Sequence, residues 1–112
     1  MMDLWLLDER GEPAPARDIV TWGAWMHERR LTGALHIGDT MVGGLRVSTV
    51  FLGIDHSFAL HAPPILWETM IFGADAEYSE RYATRADAER GHADAVRIAE
   101  LYVRDHAASE ER

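Results

Sequence analysis

The chain has 112 residues, 47% of them hydrophobic and 27% charged, the size and balance of one globular domain. It has no cysteine and all eleven basic residues are arginine, which excludes disulfides, thiolate metal sites, Schiff-base lysines and a phosphate-gripping P-loop lysine. The net charge of −8 argues against direct contact with nucleic-acid phosphates and suits, if any macromolecule, a basic protein.

Leu4-Trp5-Leu6-Leu7 reads as a short first strand, and the polar, proline-punctuated stretch 8–15 ends it as a connection. An acidic residue near the start and Asp8 breaking the apolar run do not make an export signal. No apolar run reaches the roughly 18 residues of a membrane span, so the expectation is a soluble, cytoplasmic protein without membrane contact. Asp18 is placed to cap a helix over 18–30, in which Ile19, Trp22, Trp25 and Met26 form the inward stripe and Arg29-Arg30 suit the negative end of the dipole.

Residues 34–42 alternate weakly, Gly43-Gly44 fits a two-residue hairpin turn, and the β-branched and aromatic run 45–52 reads as a central strand. The stretch 54–64 is a long loop, and long loops often carry function. Residues 65–72 form the next strand and 78–82 a short edge strand. Thr84 then caps a final helix whose stripe is Ala88, Gly91/His92, Ala95, Ile98/Ala99 and Tyr102, with Arg85–Glu89, Arg90–Asp94 and Glu100–Arg104 four residues apart on the other face. The expected fold is α+β, an antiparallel sheet of four to five strands packed against two helices in the order β-α-β-β-β-(β)-α. It forms a single domain over 1–106 with a frayed tail over 107–112.

Four residues are candidates for chemistry: Asp55 and His56 beyond the central strand, Glu68 in the next strand, and His92 in the last helix. A histidine beside a carboxylate makes a general base, and two histidines with a carboxylate make a metal triad, for which His56 and His92 are the candidate ligands although no metal is expected. Each also has a structural reading: Asp55 as a turn cap, His56 as a loop hydrogen-bonder, Glu68 as partner of Arg46 or Arg81, and His92 as a satisfied core histidine. No cofactor motif is present. In the long loop, Phe58, Leu60, His61 and Pro63 form a candidate binding patch with Phe58 as its anchor.

The segments Arg46–Phe58, Glu68–Gly73 and Arg81–Thr84 leading to Gly91-His92 resemble a group of small, uncharacterised proteins encoded by bacteriophages and prophages of GC-rich bacteria. The absence of Lys, Asn and Gln agrees with such a genome. The resemblance implies an accessory protein acting on host or phage proteins in the host cytoplasm, an inhibitor of host defence or of a nucleic-acid-handling protein among them. The leading expectation is therefore a protein-binding chain, including pairing as a homodimer. The alternatives are a small enzyme or metal-binding protein built on His56, Glu68 and His92, and a structural subunit of a phage particle.

Overall fold

The computed structural model of the chain describes residues 3–57, 62–74 and 77–110, the side chains of 107–110 excepted. Within these, the elements run β1 (Trp5–Leu7), β2 (Pro13–Pro15), α1 (Ile19–Thr32), β3 (His36–Val42), β4 (Leu45–Phe51), β5 (Trp67–Phe72), β6 (Tyr78–Tyr82) and α2 (Arg85–Glu110). The fold is α+β. Strands β3 to β6 form one antiparallel meander in sequence order, while β1 and β2 pair as a separate antiparallel ribbon. Among the described residues no helix is long and apolar enough to cross a membrane.

Strand β2 departs from the sequence reading, which left this stretch as a connection. The Asp8 carboxylate accepts the backbone N–H groups of Arg10 and Glu12 at 2.8 and 2.9 Å, and this folds the turn back so that 13–15 runs beside β1. Its prolines lack a donor, but in a two-stranded ribbon each strand has a free side on which none is needed. Helix α1 starts at its expected cap, where Asp18 Oδ1 accepts the Thr21 N–H at 2.7 Å, and ends at Gly33 with Arg29 and Arg30 in its last turn. Thr84 caps α2 by accepting the Asp87 N–H at 3.1 Å, and helical backbone continues through 107–110.

Alternation along the strands decides which face is covered. Leu45, Val47, Thr49 and Phe51 of β4, with Trp67, Thr69 and Ile71 of β5, are buried on one face. Against them α2 sets Ala88, Gly91, Ala95 and Ala99, small residues at helical spacing that let the helix lie close to the sheet. Ile98, expected in this stripe, is 42% exposed. Beyond the end of α2, helix α1 and the ribbon complete the same layer, packing Trp5, Trp22, Trp25 and Met26 around Phe51 and Trp67. Phe51 meets Trp25 and Trp67 edge-on at centroid distances of 6.0 and 5.4 Å. Burying Phe51 or Trp67 is worth about 1.5–3 kcal/mol each, so these rings anchor α1 to the sheet.

The opposite face of the meander is laced by cross-strand ion pairs. Arg46 grips Asp39 through two hydrogen bonds of 2.8 and 3.0 Å, and Arg81 donates to Glu68 at 2.8 Å, beside exposed Met41 and Phe72.

Candidate functional site

The four residues with chemical potential occupy separate environments. Asp55 stands at the neck of the long loop, where its Oδ1 accepts the Ser57 and Ile65 N–H groups at 2.7 and 2.9 Å. The His56 N–H donates to the Ile65 carbonyl at 3.0 Å, and the Asp55 N–H to that of Asp3 at 3.1 Å. Asp55 is thus a clamp that closes the loop and ties it to the chain ahead of β1. Pro63 is exposed beyond this neck, and Phe58, Leu60 and His61 lie outside the described residues.

Glu68 points away from α2. Its neighbours Trp67 and Thr69 are buried under the helix, so strand parity sends Glu68 to the open face, where it accepts from Arg81 and, at 3.3 Å, from the Ser79 hydroxyl. Of the two arginines offered as its partner, Arg81 takes the role and Arg46 goes to Asp39. His92 lies on the covered face, so the sheet itself stands between it and Glu68. His56, at the loop neck, bonds to a residue three positions before Glu68, roughly 10 Å along an extended strand. The structure does not bring His56, Glu68 and His92 together, and among the described residues no three His, Asp or Glu side chains converge as a metal site.

His92 instead joins a polar row that crosses the sheet beneath α2. Its Nε2 lies 2.9 Å from the Thr40 hydroxyl and its Nδ1 lies 2.8 Å from that of Thr49, which is 2.5 Å from the hydroxyl of Thr69. A neutral imidazole has one donor and one acceptor nitrogen, and both are used here. Neither is open to a substrate. Burial lowers the His92 pKa, with the Asp39 carboxylate opposing, so the neutral form is favoured.

Two glycines make room for this row. A Cβ on Gly38 would stand 2.6 Å from three atoms of the His92 ring, and one on Gly91 would collide with the Tyr82 ring. The Tyr82 hydroxyl is buried beside Thr69 without a hydrogen bond of good geometry among the described residues, and burial raises its pKa.

A groove of about 600 Å³ lies between the β1–β2 turn and α1, lined by Trp25 and by Arg10 and Arg29 beside Asp8 and Glu9. Its charges are mixed: Arg29 sits over the Trp25 ring at 5.2 Å, and Arg85 at the far end is held by Glu89 at 3.0 Å. None of the His or Glu candidates lines it.

One surface escaped the sequence reading. Ile19, placed there on the inward stripe, is 62% exposed, and Val20 and Leu31 are 78% and 74% exposed. Val20, Ala24, His27 and Leu31, spaced four, three and four residues apart, form an exposed line on the side of α1 opposite Trp22 and Met26. The signal was present: taking Trp22, Trp25 and Met26 as the inward stripe leaves these apolar residues on the other side.

Fold and surface together define an α+β domain whose first helix carries an uncovered apolar seam. No protein-family model matches the chain, nor does any curated protein or solved structure.

Proposed function

We propose that the chain is a small acidic accessory protein of phage type that acts by binding a protein, not by catalysis. Its target on this reading is a host or phage protein, an inhibited component of host defence or nucleic-acid handling. The observation that carries the reading is helix α1, apolar on both sides: Trp22 and Met26 pack inward while Val20 and Leu31 stand 78% and 74% exposed. A helix with two apolar sides is suited to being covered on both. Three of the four polar candidates have structural duties: Asp55 clamps the loop, Glu68 pairs with Arg81, and both His92 nitrogens are taken. The charge of −8 supports a basic target, such as a protein that itself grips nucleic acid.

The test is capture from lysate of a phage-infected host with tagged wild type, Val20→Glu and Phe58→Ala, followed by calorimetry with the purified captured protein. The expected result is a protein whose affinity falls at least tenfold in one of the two variants. Capture that neither variant weakens, or no capture at all, would sink the reading.

A further inference from the structure

We infer that the groove between the β1–β2 turn and α1 is a binding site for a small phosphorylated molecule with an apolar ring, its phosphate held by Arg10, Arg29 and Arg85. This site is separate from the α1 surface that carries the protein-binding reading, and neither depends on the other.

Three observations point to an anion. The first is convergence. Arg10 and Arg29 line the groove of about 600 Å³, and its continuation toward α2, about 360 Å³, adds Gly11 and Arg85. Three of the eleven arginines of a chain of charge −8 thus meet in one concavity.

The second is that their donors are left over. Arg85 gives its Nε to Glu89 at 3.0 Å, and its two Nη atoms have no acceptor among the described residues. The Arg10 guanidinium has neither a hydrogen bond nor an ion pair among them. Arg29 has only Glu28, its neighbour in sequence, at 3.7 Å, beyond hydrogen-bond length. Arg46 and Arg81, by contrast, each meet a carboxylate at 2.8 Å. Of the acids in the groove, Asp8 uses its Oδ1 on the N–H groups of Arg10 and Glu12, which leaves Glu9 as the opposing charge.

The third is that the fold seats the cations. Gly11, already favoured at this turn by its φ of +77°, also admits Arg85, because a Cβ there would stand 2.9 Å from Nη1. Arg29 lies over the Trp25 ring, 5.2 Å from its centroid, which steadies the guanidinium and leaves its N–H edge able to bond an oxyanion.

The chemistry of the groove selects the ligand. A phosphate group brings about two negative charges and three acceptor oxygens, and guanidinium pairs with it bidentately; a carboxylate brings one charge. Leu6, Leu7 and the half-buried Trp25 line the other part of the groove and offer a wall for a ring. A long polyanion would run from the arginines onto the acidic remainder of the surface, so the site suits a small ligand.

Calorimetry of the purified chain with ADP, pyrophosphate and adenosine, each to about millimolar, tests the site. ADP is expected to bind, more tightly than pyrophosphate and far more tightly than adenosine, and to weaken as salt rises from about 0.05 to about 0.5 M. Arg10→Gln and Arg85→Gln, at exposed positions, should each weaken ADP about threefold to tenfold with unchanged circular dichroism. Arg97→Gln, the same charge change at an exposed position of α2 outside the groove, should bind like wild type. Glu9→Gln should tighten ADP, a gain that a purely structural role for these residues does not produce.

No heat with ADP overturns the inference, as does an Arg97→Gln variant that loses as much as the groove variants. Adenosine binding as tightly as ADP overturns the role of the arginines, and pyrophosphate binding as tightly as ADP overturns the role of the apolar wall.

Discussion

The polar row beneath α2 makes a quantitative demand at Gly38. Gly38→Ala puts a Cβ 2.6 Å from three ring atoms of His92, closer than real side chains come, so the ring must move. Overpacking of this kind costs about 1–3 kcal/mol. A displaced ring also loses its bonds of 2.9 and 2.8 Å to Thr40 and Thr49, each worth about 1 kcal/mol. Against this, replacing glycine within a strand gains about 0.5–1 kcal/mol. The net expectation is a loss of about 2–4 kcal/mol. In a His92→Ala background the clash and the bonds are both gone, and the same substitution should cost less than about 0.5 kcal/mol or stabilise. The coupling of about 3 kcal/mol lies at the upper end of the range for residues in contact. Urea denaturation followed by tryptophan fluorescence measures all four corners of this cycle from shifts in midpoint at constant slope. If Gly38→Ala costs the same in both backgrounds, the ring does not sit over Gly38 as described.

Three further outcomes follow from the same geometry. Because burial lowers the His92 pKa, the unfolded chain binds this proton more readily than the folded one. Its contribution is therefore fully present above the ordinary value of 6.5 and is lost as pH falls through that value toward the lower folded one. Urea midpoints at about pH 7.5 and about pH 5.5 should differ more in wild type than in His92→Gln, and equal differences would count against a buried neutral ring. Asp55→Ala removes the acceptor of the Ser57 and Ile65 N–H groups and should cost about 1–3 kcal/mol with faster proteolysis between 57 and 64, whereas Asp55→Asn keeps an acceptor oxygen and should be milder. Arg81→Ala removes a partly exposed pair from Glu68 and should cost no more than about 1 kcal/mol, with the cost shrinking in high salt; a larger, salt-independent loss would mean that Glu68 is buried without water.

Much of the fold was legible because its signals are local. Asp18 and Thr84 announce their helices through side-chain caps, Gly43-Gly44 marks the tight β3–β4 turn, and the β-branched run 45–51 fits only a strand. The ribbon strand β2 was not legible because Pro13 and Pro15 argue against a strand, and the bonds that draw it back come from Asp8, five residues before it. The separation of the chemical candidates was hidden for another reason. Glu68 sits in a run, Leu66-Trp67-Glu68-Thr69-Met70-Ile71, with apolar residues of both parities, so alternation alone does not say which set lies under the helix. That choice is made by α2, whose small residues admit Trp67, Thr69 and Ile71 and leave Glu68 to Arg81.

The same contest explains the seam on α1. Trp22, Trp25 and Met26 dominate any reading of this helix, because large rings determine which side meets Phe51 and Trp67, and Ile19 was assigned with them by its spacing alone. Once the rings are seated, Ile19 falls to the flank and Val20 and Leu31 to the far side, at 78% and 74% exposure. Folding the monomer gains nothing from apolar residues there. Polar residues at those two positions would serve the isolated domain equally well and expose less apolar surface to water. On the proposed reading, Val20 and Leu31, on the short segment where arginines outnumber acids, are the residues that meet protein. The structural argument for the proposed binding therefore rests on α1, while His92 and Glu68, which first attracted attention, serve to hold the sheet and its helix together.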